Sequence, residues 1–165
     1  MRVFKHSAHP LLDVFGPTLQ FLTTPEEADE SLCVIKGIIP PRGIVPMHSH
    51  TDIECFLMMS GQQEVLIETE GSYSWTMCSS GDFIQVPSRA KHAFRNLSTE
   101  PAVTLLTTTA KLGRFFEDVG RPVATEAKLL PPTPEELQHF AATAIRYGYW
   151  LATPEENAAV GLPHF

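Results

Sequence analysis

The sequence predicts an all-β domain, a sandwich or barrel, followed by an α-helical extension. Two observations predict the first part: seven short β-rich runs lie between Leu32 and Thr109, and turn residues separate them. A third predicts the extension, because apolar residues recur three and four apart after Lys111. The runs are LCVIKGII, ECFLMMS, QEVLIETE, YSWTMC, DFIQVP, HAFRN and AVTLLTTT, broken by PPRG, SGQ, EGS, SSGD, PSRAK and STEP. Spacing this close leaves no room for crossover helices, so the sheets are expected to be antiparallel. The clearest hairpin is QEVLIETEGSYSWTMC, turning at Gly71.

In the extension, KLGRFFEDVG and TPEELQHFAATAIRYGYW carry the helical spacing, with Leu137, Phe140, Ala141, Ala144 and Ile145 as the expected buried stripe. Thr133 is placed to cap the second helix. Pro134 takes its first position, and Glu135 and Glu136 lie near the positive end of its dipole. The letters TPEE recur at Thr24 and Thr153, which reads as helix-start chemistry used three times and not as a structural repeat. VATEAKLLPPTP reads as a connection. The expected division is a β-domain over residues 1–110 and a helical extension over 111–165.

The totals restrict function. A chain of 165 residues has room for one well-packed core, and its 43% hydrophobic and 19% charged residues are ordinary for a globular protein. The net charge of −7 sets up no broad positive field for phosphate backbones or anionic lipid, so neither nucleic acid nor membrane is an expected partner. No apolar run approaches a bilayer span, and MRVFKHSAHPLLDVFG lacks the apolar core of a secretory signal, so the expected location is cytoplasmic. Cys33, Cys55 and Cys78 are odd in number and widely spaced, and are read as free thiols.

The chemistry gathers in PMHSHTDIECF. If this stretch ran as one regular strand, His48, His50, Glu54, Phe56 and Met58 would share a face. Two imidazoles and a carboxylate buried together lose hydration unless they share a partner, and a divalent metal is such a partner. Gly43 precedes the pair and Gly61 follows Glu54. A second frame, GDFIQVPSRAKHAFRN, runs from Gly81 through Pro87 to His92 and Asn96.

Together these stretches resemble the two sequence motifs of the cupin superfamily, in the single-domain, quercetin 2,3-dioxygenase-like form. The tail LGRFFEDVGRPV is similar to that of bacterial single-domain cupins. The resemblance implies a double-stranded β-helix, or jelly-roll barrel, and a metal held by His48, His50, Glu54 and His92. His6, His9, His139 and His164 receive no such role. Arg89 stands where the second motif commonly has glycine, and the gap from Gly43 to His48 is one residue short.

The ligand mix suits iron, manganese, nickel, cobalt, copper or zinc. The expected function is a metal-dependent dioxygenase or oxidoreductase acting on a small aromatic or enolic molecule. Glu54 would handle a proton, and Phe56, Met58 and Phe94 would line an apolar pocket. A non-catalytic sensor or carrier and a sugar-type isomerase or epimerase are the alternatives. Arg89, Lys91 and Arg95 are either a carboxylate-binding group or solvated side chains. The resemblance also implies a homodimer.

Overall fold

The computed structural model describes residues 9–123 and 130–163, so His6, His164 and half of the expected connection lie outside the described residues. The strands are β1 (Leu11–Asp13), β2 (Thr18–Thr23), β3 (Leu32–Ile39), β4 (Ile44–Ser49), β5 (Glu54–Ser60) and β6 (Gln62–Thr69). They continue with β7 (Ser72–Ser79), β8 (Phe83–Val86), β9 (His92–Arg95), β10 (Ala102–Thr109), β11 (Arg121–Val123) and β12 (Trp150–Leu151). The helices are α1 (Ala110–Val119), α2 (Pro134–Tyr147) and α3 (Pro154–Ala159).

Every strand pair is antiparallel, as the short connections require. One sheet runs β11-β1-β2-β3-β10-β5-β8 and the other β12-β4-β9-β6-β7. Both are open. The closed barrel expected from the sequence is therefore not formed, and with 22% helix and 45% strand among the described residues the class is mixed α and β, not all-β. The chain passes from β7 to β8, the edge strands of different sheets, through a turn in which Asp82 Oδ2 accepts from Ser79 N at 2.7 Å. No ladder joins those two edges among the described residues.

The segment after α1 also builds sheet. It adds β11 beside β1 and β12 beside β4.

The sheets face each other over a core that includes Ile35, Phe56, Met58, Val65, Phe94 and Leu106. Alternation produces it: β10 buries Ala102, Thr104, Leu106 and Thr108 and turns the residues between them outward. Gly61 sits at φ +73, and a Cβ there would lie 2.2 Å from the Pro101 carbonyl oxygen. Asn96 is fully buried, donating to Ile39 O at 3.0 Å and Glu100 O at 2.7 Å while accepting from Ser98 N at 3.0 Å. These motif residues serve the fold.

All three TPEE sites cap as expected. Thr133 and Thr153 form capping boxes, and Thr24 exchanges the same pair of bonds with Glu27 at the short 3-10 helix Glu26–Ala28. The buried stripe of α2 is the expected one only in part, since Leu137 is 50% and Ile145 76% exposed. Of that stripe Ala144 is buried and Phe140 packs against α1 and its neighbours as expected, and the places of Leu137 and Ile145 are taken by Thr143, which is buried, and Tyr147. Docking on α1 rotated the helix, because Phe140, Thr143, Ala144 and Tyr147 form a face of their own at 3, 4 and 7. Cys33 and Cys78 are buried, Cys55 is half-buried, and all three are free.

Candidate metal centre

His48 lies on β4 of the five-stranded sheet, and His50 follows just beyond the strand's end. Residues 51–53 then carry the chain across to the seven-stranded sheet, where Glu54 opens β5. The first motif is thus not one strand with one face. It reaches the same interior space from two opposing sheets, because the chain crosses between them at Asp52.

His92 opens β9, and the β4–β9 ladder sets it directly opposite His48. Ring centroids are 4.2 Å apart for His48 and His92, 5.2 Å for His50 and His92, and 5.6 Å for His48 and His50. One nitrogen from each of the three imidazoles lies within 4.8 Å of the other two. Glu54 stands outside that mutual set but touches two of its members, with Oε2 3.3 Å from His50 Nε2 and 3.1 Å from His92 Nε2.

The outward nitrogens fix the rings. His48 Nδ1 donates to Pro46 O at 2.8 Å, His50 Nδ1 to Asp52 O at 3.0 Å and His92 Nδ1 to Ala90 O at 2.9 Å. Each acceptor is a backbone carbonyl two residues from its histidine, so each ring holds a proton on Nδ1 and turns Nε2 inward.

Nε2 of His50, Nε2 of His92 and Oε2 of Glu54 are buried, and none makes a well-formed hydrogen bond despite their proximity. Leaving a buried polar atom unpaired costs about 1–3 kcal/mol. Three such atoms converging on one point fit a shared cation. Neutral imidazole and carboxylate are the donors divalent transition metals take, so these residues form a cluster able to coordinate a metal ion.

Burial pushes the His48 imidazole down to about 3, and His92 beside it acts the same way. Burial alone would raise the Glu54 carboxyl, but His50 and His92 outweigh it and hold the group below the usual carboxylate range. His50 is raised, because Glu54 outweighs its burial. At neutral pH the cluster therefore presents a carboxylate and at least one imidazole free of its second proton.

The His48 shift has a sign in stability. Between about 3 and 6.5 the unfolded chain holds a proton on His48 that the folded chain refuses, so acid favours unfolding across that window. The denaturant midpoint of metal-free protein is expected to fall more steeply from pH 6.5 towards about 4 than that of His48→Gln. Parallel profiles would refute this.

Phe56 and Phe94 meet edge to face at 5.1 Å, and the Phe94 ring lies 5.6 Å from His92. Met58 is two residues further along β5 and fully buried in the core. His9 pairs with Glu27, and His139 bonds the Asp118 carbonyl on the surface. The basic group turns to other uses: Lys91 lies over the Trp150 ring, and Arg95 pairs with Glu64 and stacks on Trp75. Arg89 takes φ +67, the left-handed conformation that explains glycine in the motif, and its N–H donates to His50 O at 2.6 Å.

Two residues escaped sequence reasoning as parts of this centre. Asp52 is buried beside His50, and its only signal is a shared parity with His50 and Glu54. Tyr149 donates its phenol to Asp52 Oδ2 at 2.8 Å from 97 positions away, a distance over which no local pattern speaks.

A family model described as Cupin_2, cupin domain, matches residues 36–108. Among curated proteins, none matches the sequence. The solved structure of the polyketide cyclase RemF from Streptomyces resistomycificus superposes with a TM-score of 0.58 at 14% identity, over 85% of this chain and 99% of its own. A predicted oxalate decarboxylase from Thermotoga maritima gives 0.55 at 16% identity, over 66% of this chain and 98% of its own. An RmlC-like cupin from Shewanella frigidimarina gives 0.54 at 16% identity, over 67% and 92%. At these identities the likeness establishes the fold.

Proposed function

Because residues 36–108 of this chain are a cupin domain carrying a metal-competent histidine cluster, we propose that the protein is a metal-dependent dioxygenase of a small enolic or phenolic substrate. The metal ligands are His48, His50, His92 and Glu54. The observation that carries the reading is the set of buried, unpaired Nε2 and Oε2 atoms aimed at one point by rings fixed from behind.

A bound divalent cation supplies Lewis acidity and an open position for a substrate oxygen. The chain supplies the rest. Glu54, held as a carboxylate, accepts the proton of the substrate hydroxyl, and Phe56 with Phe94 packs an apolar floor that keeps water from the ring. His48 is the least buried of the four, which makes its side the entry. Dioxygen is the oxidant and both its atoms enter the product, so no reductant is needed. Met58 lies deeper and acts as packing. A homodimer is supported by Leu57 and Phe83, which stand exposed in register on the outer face of the seven-stranded sheet.

A second reading is a redox-neutral ring closure of a β-dicarbonyl chain, in which Glu54 removes the acidic C–H proton, the carbanion adds to a second carbonyl carbon of the chain, opening its C=O π bond, and the alkoxide oxygen takes the proton back. It is favoured by the likeness to a polyketide cyclase over 85% of this chain, which extends beyond the matched domain.

Oxygen uptake with a panel of flavonols and catechols separates the two. Uptake matching substrate loss, abolished in His92→Ala, is the expected result. Metal-loaded protein that consumes β-dicarbonyl compounds anaerobically, and takes up no oxygen with any of the panel, would defeat the dioxygenase reading and favour the second.

A further inference from the structure

Tyr149 lies beyond the matched residues 36–108, yet it is buried beside the metal centre. Gly148 ends α2 at φ 75, a conformation that costs glycine no Cβ clash, and the turn sends the next side chain inward. The Tyr149 N–H bonds Ala144 O at 2.9 Å, which fixes the entry of the ring.

What the ring reaches is Asp52. The phenol donates to Oδ2 at 2.8 Å, the Thr109 hydroxyl donates to Oδ1, and Lys111 Nζ stands 4.0 Å from Oδ2. Both carboxylate oxygens of a residue only 3% exposed are engaged, so Asp52 cannot turn. Its backbone carbonyl is the acceptor of the His50 Nδ1–H bond. The Tyr149 ring also lies 5.3 Å from the His50 ring. Immediately afterwards the segment becomes β12, which sets Leu151 opposite His48. The extension therefore grips the chain at both imidazoles of the first motif.

We propose that Tyr149 is a positioning residue of the metal centre: by holding Asp52, it fixes the carbonyl that orients His50. This rests on the metal-binding reading above. A tyrosine that served packing alone would stabilise the fold through its ring, and loss of its hydroxyl would leave the metal site as it was. A positioning tyrosine acts on the metal site through that hydroxyl.

Tyr149→Phe removes the hydroxyl and keeps the ring contacts, including the one to Phe115 at 5.0 Å. Tyr147→Phe is the control, because it breaks a phenol-to-carboxylate bond of the same kind, to Asp118 at 2.9 Å, in the same aromatic cluster but away from Asp52. Titrated into metal-free full-length protein, cobalt(II) is expected to bind Tyr149→Phe about tenfold or more weakly, with shifted visible absorption bands. Tyr147→Phe should match wild type in both.

Wild-type affinity and an unshifted spectrum in Tyr149→Phe would overturn the proposal, whatever happens to its melting temperature. Wild-type protein that bound no cobalt would instead sink the metal reading. The positioning claim is then decided by nitrogen-15 NMR of the imidazoles in metal-free protein. The expected result is a single Nδ1-protonated tautomer at His50 in wild type and mixed tautomers in Tyr149→Phe, and identical tautomers in both would end it.

Discussion

Replacing His50 or His92 by alanine is expected to strip the protein of metal. Wild type purified without chelator should carry close to one transition-metal ion per chain, and either variant should fall to background in elemental analysis. The reason is geometric. Each imidazole is presented with Nδ1 tied to a carbonyl and Nε2 turned inward, so removing one takes an oriented donor from the cluster. Loss of an oriented ligand should weaken binding by more than the roughly 10–100-fold that follows from disturbing an outer partner. The variants also relieve the crowd around Glu54 Oε2, which then faces one imidazole where it faced two. Metal-free His92→Ala should therefore still fold, and its circular dichroism separates lost ligation from lost structure. Full occupancy in either variant would show that the cation sits elsewhere.

Gly61→Ala should give the largest loss of stability. Gly61 closes the turn between β5 and β6 at φ +73, where an L side chain costs about 1–2 kcal/mol. The added Cβ would also lie 2.2 Å from the Pro101 carbonyl oxygen and 3.1 Å from the Ala102 Cα. Both are backbone atoms and cannot rotate away, so β10 must shift, and β10 lies between β3 and β5 in the sheet. A total of about 3 kcal/mol or more is expected, lowering the melting temperature by roughly 10 °C. A change of less than about 1 kcal/mol in denaturant unfolding would show that the turn adjusts and that its glycine is not required for the approach.

Much of this was readable in the chain itself where the signal was local. The run ECFLMMS is β5 and AVTLLTTT is β10, because strand alternation and turn residues act over a few positions. The TPEE starts capped as read, since a capping box needs only four consecutive residues. His48, His50 and His92 were legible as a set through two spaced motifs, and the structure brings them together.

The failures share a different origin. Leu137 and Ile145 fit a helical stripe as well as Phe140 and Ala144 do, and only the surface of α1 decided which face docked. A closed barrel was expected because many short antiparallel strands suit one, but pairing of edge strands depends on how far apart the two sheets come to rest.

The sequence by itself determined the seven runs that became β3 and β5 to β10, the capped helix starts, and which imidazoles belong together, all properties set by contacts within a few residues or by a recognisable motif. Tertiary structure alone decided that the first motif spans two sheets, that both sheets stay open, and that Tyr149 reaches Asp52 behind His50. Contacts between distant residues depend on the placement of whole elements, and no short stretch of chain encodes that placement.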